Sequence, residues 1–205
     1  MAETVDLRGG EMPPRPDGIP RPSWFRVIGR AGAGVWVGCA LALIGIGAAV
    51  AGLHPLPMAA AYAVMFIVAV TAAMVDAVDM RLPDALTFPI LACGVAVLAA
   101  LDIAGTHQGL LRGVLGGVLY GGFLLAAGLI NPRSFALGDI KLCAGLGVWL
   151  AGLSWTALYV GVLGGQVLLL LTGGIIRARH PGQPHREFPA GPALVAGAIL
   201  GVLLG

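Results

Sequence analysis

Read from its first residue, the chain changes character once and then repeats itself. Residues 1–30 are polar and broken by proline, whereas everything after them alternates long apolar runs with short polar interruptions. Apolar runs fall near 33–53, 57–75, 86–104, 110–130, 140–152, 155–176 and 188–205. Crossing a bilayer core takes about 20 apolar residues at about 1.5 Å each, so most of these runs predict membrane-spanning helices. The fifth run is short, which predicts a tilted helix or one that starts deeper than a full span. The pattern therefore predicts an all-α, polytopic transmembrane helix bundle of six to seven spans.

Composition supports this pattern. Of 205 residues, 58% are hydrophobic and only 11% charged, against about 25% charged in a soluble domain. Too few charges remain to cover a water-facing surface. The formal net charge of +2 is too small to argue for a nucleic-acid partner, so the lipid bilayer is the partner that composition names. The three cysteines, Cys39, Cys93 and Cys143, form no Cys-x-x-Cys pair. A cysteine zinc site needs about four ligands at short spacing, so they read as small packing residues. His54, His107, His180 and His185 map to loops or span ends and pair with no carboxylate at metal-ligand spacing. No metal and no cofactor is expected.

The placement of arginine and lysine predicts orientation. Residues 1–30 carry Arg8, Arg15, Arg21, Arg26 and Arg30 together with four acids and five prolines, a composition that predicts a disordered cytoplasmic tail. The tail is too long and too rich in proline for the start of a cleaved signal peptide, so the first span is expected to stay in the mature protein. Arg81, then Arg133 with Lys141, then Arg177, Arg179 and Arg186 mark further cytoplasmic segments. The intervening turns at 54–57 and 152–154 are neutral, and so is the loop 102–108, which Arg112 follows closely. Apart from Arg112, seven spans alternate cleanly and leave the C-terminus outside.

Small residues also recur at helical spacing. Gly113, Gly117 and Gly121 repeat every fourth position, as do Gly161 and Gly165. Such faces let membrane helices approach closely. Packing within the bundle is the first expectation, and a homodimer through Gly113, Gly117 and Gly121 the second.

Two aspartates stand out against this background. Asp76 follows Thr71-Ala72-Ala73-Met74-Val75 directly, and Asp139 opens the run Ile140 to Gly152. A carboxylate near bilayer depth costs about 2.5–3.5 kcal/mol on insertion scales, so an ionisable residue there is a functional hypothesis by default. Both fall at cytoplasmic span ends, at the same depth, where a carboxylate pair could carry acid–base chemistry on water. Asp79 lies in the following loop, where solvation or Arg81 accounts for it. Asp84 follows Pro83 and is expected to cap the next helix by accepting its free N–H groups. Gly138 lets the backbone turn or approach a neighbour just before Asp139, although N-capping would also account for that aspartate. Lys141 is placed to pair with an acid or to hold a substrate carbonyl. Pro189, Gly191 and Pro192 make an irregular entry to the last span, tolerated in a membrane only when buried in protein or lining a cavity.

These segments, in this order, resemble the type IV prepilin leader peptidases, a family of GxGD-type intramembrane aspartyl proteases. The resemblance rests on Asp76 with Leu82-Pro83-Asp84, on Gly138-Asp139-Ile140-Lys141, and on Pro189-Ala190-Gly191-Pro192, and covers roughly residues 60–205. It departs at Ala136, where the family pattern has a glycine. The cytoplasmic domain with two Cys-x-x-Cys pairs found in larger members is not matched, so the chain looks like the short, peptidase-only branch.

The resemblance implies that residues 31–205 form a transmembrane aspartyl peptidase. Asp76 and Asp139 would be catalytic, with Gly138, Lys141, Asp79, Asp84, Pro189, Gly191 and Pro192 in support. It implies removal of a short basic leader from a prepilin or pseudopilin precursor at the cytoplasmic face of a bacterial inner membrane, without N-methylation and without cofactor. On the residues alone, an ion- or proton-coupled transporter with Asp76, Asp139 and Lys141 as a relay is the alternative. Transporters show internal repeats, and no convincing repeat is present.

Overall fold

A computed structural model describes residues 56–79, 82–105, 109–130, 136–179 and 189–205. The tail, the first expected span at 33–53, Cys39 and all four histidines lie outside the described residues. Within them the chain forms six helices: α1 (Leu56–Asp79), α2 (Asp84–Ile103), α3 (Leu110–Ile130), α4 (Leu137–Leu153), α5 (Trp155–Arg179) and α6 (Gly191–Leu204). The chain is an all-α, multi-pass membrane bundle. Segments of α1, α2, α3 and α5 are long and apolar enough to cross a bilayer, while α4 has 17 residues and α6 has 14.

Contacts between helices fix their directions. Asp84 meets Lys141 at one end of the bundle, Ile90 meets Gly145 midway, and Leu98 meets Gly152 at the other end, so α2 runs parallel to α4. Helix α3 runs the opposite way, with Gly113 against Val148, Gly121 against Ala144 and Gly128 near Ile140. Helices α5 and α6 are antiparallel, Gly161 lying against Gly197 and Gly165 against Leu194. Direction alternates in chain order, as the charge pattern requires.

Helix α4 is the hub. It is buried almost continuously from Leu142 to Gly152 and packs against α2, α3, α5 and α6. In lipid, helices associate through close packing rather than through apolar burial from water, and small residues permit the approach. A Cβ added at Gly147 would sit 2.5 Å from the Gly116 carbonyl oxygen, so α3 and α4 touch backbone to backbone. Gly113, Gly117 and Gly121 are buried in this same contact. This is the packing within the bundle that their spacing first suggests, with α4 of the same chain against their face.

Polar braces hold the end of the bundle away from the aspartates. The Tyr62 hydroxyl donates to the Trp149 carbonyl at 2.6 Å, and Trp149 Nε1 donates to the Ile90 carbonyl at 2.8 Å, tying α1, α4 and α2 together. Arg112, the exception in the charge pattern, donates to the carbonyls of Ala151, Gly152 and Leu153 at 2.5, 2.7 and 3.0 Å. Helices leave their last carbonyls without partners and carry partial negative charge there. This guanidinium therefore serves the end of α4. Asp102 acts at the opposite pole, accepting the Gly109 and Leu110 N–H groups at 2.8 and 3.1 Å at the start of α3.

Candidate active site

Asp76 lies in the last turn of α1, on a helix that continues past the expected end at 75 to Asp79. Helix and apolar run end at different places because the carboxylate is enclosed rather than solvated: Asp76 is 5% exposed. Its Oδ2 accepts the Gly191 N–H at 2.8 Å. Gly191 is the first residue of α6, and its N–H has no partner inside that helix. Pro192 follows at the second position, where the missing N–H costs no helical hydrogen bond. The start of α6 therefore presents a donor and its positive dipole end to the aspartate. A Cβ at Gly191 would lie 2.9 Å from Asp76 Oδ2 and 3.2 Å from Asp76 Cβ, so a side chain there would displace the carboxylate. Pro189 is half-buried beside this entry.

Asp139 occupies the first turn of α4, which begins at Leu137 rather than near 140. Ala136 precedes the helix in an extended conformation, and its N–H donates to Asp139 Oδ2 at 3.0 Å. In return the Asp139 N–H donates to the Ala136 carbonyl at 3.0 Å. Asp139 is thus inside the helix and not its N-cap. It is 7% exposed and lies within electrostatic reach of Asp76. Each carboxylate has one oxygen held by a backbone N–H at a helix start.

Gly138 meets Leu82, whose Cβ and carbonyl oxygen would lie 2.7 and 3.3 Å from a Cβ at that position. The link between α1 and α2 is therefore pressed against the turn that carries Asp139. Asp84 does not cap α2. Pro83, in an extended conformation, takes the cap position, with no side-chain cap hydrogen bond. Asp84 instead sits in the first turn and pairs with Lys141 Nζ at 2.7 Å, clipping the start of α2 to the start of α4. The side chain of Asp79 lies outside the described residues. Among the described residues no cluster of three or more His, Cys, Asp or Glu is placed to hold a metal ion.

Three further polar side chains belong to no sequence motif. Thr87 is fully buried on α2. Tyr120 on α3 is 2% exposed, and Gln166 on α5 is half-buried. The lone amide of Gln166 inside an apolar run was the available signal, since a polar group at such depth needs a partner.

Comparison with known proteins gives the family. Residues 63–176 match the type IV leader peptidase family. A Burkholderia pseudomallei (strain 1026b) protein named "Prepilin leader peptidase/N-methyltransferase" is 34% identical over 157 residues, covering 73% of this chain and 48% of the relative. The protein of that name from strain K96243 matches with the same figures. This chain spans about half the length of these curated relatives. No solved structure matches. The chain belongs to the type IV leader peptidase family.

Proposed function

We propose that this chain is a membrane-embedded aspartic endopeptidase that removes the short basic leader of a pilin-like precursor at the cytoplasmic face of a bacterial inner membrane. The observation that supports the proposal is that Asp76 and Asp139, on separate helices, are both buried, each with one carboxylate oxygen held by a backbone N–H at the start of a helix. Two carboxylates sharing a site do not both ionise easily, so one keeps a proton. The ionised one takes a proton from water as the water oxygen bonds to the scissile carbonyl carbon. The protonated one donates to the carbonyl oxygen. The C–N bond then breaks, and the amine leaves carrying a proton from the dyad.

In this reading Gly191 and Ala136 are positioning residues. Their N–H groups hold one oxygen of each carboxylate and turn the other toward the water. Leu82 against Gly138 and Asp84 with Lys141 keep α4 from turning. The N-terminus is cytoplasmic, and the activity is peptidase without N-methyltransferase. Co-expression with candidate prepilins, followed by gel shift of the leader, tests the proposal. Cleavage of at least one candidate is expected; failure on every candidate sinks it.

A further inference from the structure

Helix α1 leaves one narrow stripe open. It packs against α2 and α6, and Tyr62 ties it to α4. On the remaining side Ala60 is exposed, Val64 is 62% and Ile67 48% exposed, and Thr71 continues the line half-buried. These positions are spaced by four, three and four residues, the seam along which one helix packs on another. Thr71 does not make the stripe polar, because its hydroxyl donates to the Ile67 carbonyl at 2.7 Å.

The chain supplies a helix of the right kind in the right place. The first expected span, 33–53, lies outside the described residues and ends just before α1 begins at Leu56. Helices joined by so short a link lie side by side and antiparallel. With α2, α4 and α6 on the other sides of α1, the open stripe is the place left for it among the described residues. The run also carries a matching seam: Gly38, Ala42, Gly45, Ala49 and Gly52 recur at intervals of four and three, and all are small. The two seams share one register. Ala49 with Ala60, Gly45 with Val64, Ala42 with Ile67 and Gly38 with Thr71 each stand at equal distances on either side of the His54-Pro55 link.

We propose that residues 33–53 form a helix that docks on the Ala60, Val64, Ile67 and Thr71 stripe of α1 through Gly38, Ala42, Gly45 and Ala49. Val64 and Ile67 fill the spaces over Gly45 and Ala42, and the small residues let the backbones close up, which is what drives helix association in lipid. Helix α1, which carries Asp76 in its last turn, is then held from its outer side as well as from the bundle. The same register sets Arg30 level with Asp79, so the basic segment 1–30 ends at the same end of the bundle as Asp76. Lipid or a second copy of the chain could also cover the stripe, but neither accounts for the shared register.

The test is disulfide crosslinking, in membranes, of the full chain with Cys39→Ala, Cys93→Ala and Cys143→Ala. Two pairs probe the register: Ala49→Cys with Ala60→Cys, and Ala42→Cys with Ile67→Cys. Gly47→Cys with Val64→Cys probes the opposite side of the run, since position 47 lies about 200° round a helix from position 45. Copper phenanthroline is expected to link both register pairs within one chain, because facing small positions bring the Cα atoms within disulfide reach. The readout is lost labelling by a polyethylene glycol maleimide with no dimer band, while the Gly47 pair stays unlinked. A dimer band puts a second copy on the stripe and overturns the proposal. Register pairs that stay unlinked, or a Gly47 pair that links as well as they do, also overturn it. Thermal unfolding gives an independent reading: Gly45→Leu should melt about 2–4 °C below Gly47→Leu, because only the first overpacks the seam. Equal Tm values contradict the docking.

Discussion

The backbone N–H of Gly191 donates to the Asp76 carboxylate at 2.8 Å across 115 positions of sequence. That bond ties the last helix of the bundle to the end of the first described one. A Cβ at Gly191 would also lie 3.2 Å from Asp76 Cβ, so aspartate and helix start cannot both keep their places around any larger residue. Gly191→Ala is therefore expected to lower kcat by about 10–100-fold, the cost of a misplaced reacting group. Leader cleavage by purified protein checks this, with Tm recorded to show that the bundle still folds. An unchanged kcat would mean that the contact does not position the aspartate.

Lys141 and Asp84 make a different prediction. Their side chains are 46% and 72% exposed, and exposed ion pairs are worth about 0.2–1 kcal/mol. Lys141→Ala and Asp84→Ala should each cost little stability, and a double-mutant cycle should return a coupling in that range. Equal, modest losses of activity are expected if the pair only clips α2 to α4. A much larger loss in Lys141→Ala than in Asp84→Ala would instead give Lys141 a direct contact with the precursor.

Arg112 supports the end of the bundle away from the aspartates. Removing it takes away three hydrogen bonds from the guanidinium to carbonyl groups at the end of α4. Arg112→Ala should destabilise by about 2–3 kcal/mol, the cost of breaking hydrogen bonds to a charged group. Thermal unfolding in detergent reads this directly. The kcat of the folded fraction should stay near wild type, since Arg112 lies at the opposite end of α4 from Asp139.

Gly117 separates packing within the chain from packing between chains. An added Cβ there would meet Val148 and the Ala144 carbonyl oxygen at 2.7 and 2.9 Å. Gly117→Ala should therefore lower Tm in a concentration-independent way, by an overpacking cost of about 1–3 kcal/mol. Loss of an oligomer with Tm unchanged, seen by crosslinking or light scattering, would instead favour a dimer through these glycines.

The pattern of apolar runs marked six of the six described helices to within a few residues, because a bilayer imposes length and composition together. Its errors are local and physical. The run ended at 75 while α1 continues to Asp79, because a partnered carboxylate need not end a helix. Asp84 was expected to cap α2, but Pro83 takes that position and leaves the carboxylate to Lys141. Arg112 read as a fault in the charge pattern because its three carbonyl partners lie about 40 residues away. The two aspartates were legible as anomalies of depth. Their partners were not, since the donors are backbone groups of Gly191 and Ala136, which sequence does not mark as donors. Tyr120 and Gln166 escaped for the complementary reason: an uncharged polar residue barely disturbs a hydropathy pattern.

The most direct measurement is single-turnover cleavage of a purified prepilin by the reconstituted wild type, Asp76→Asn and Asp139→Asn. Asparagine keeps size and removes the proton chemistry, so both variants should insert and melt like the wild type. Each should lose about 10²–10⁴-fold in rate, the range of a lost acid or base. Wild-type cleavage by either variant would contradict the carboxylate dyad.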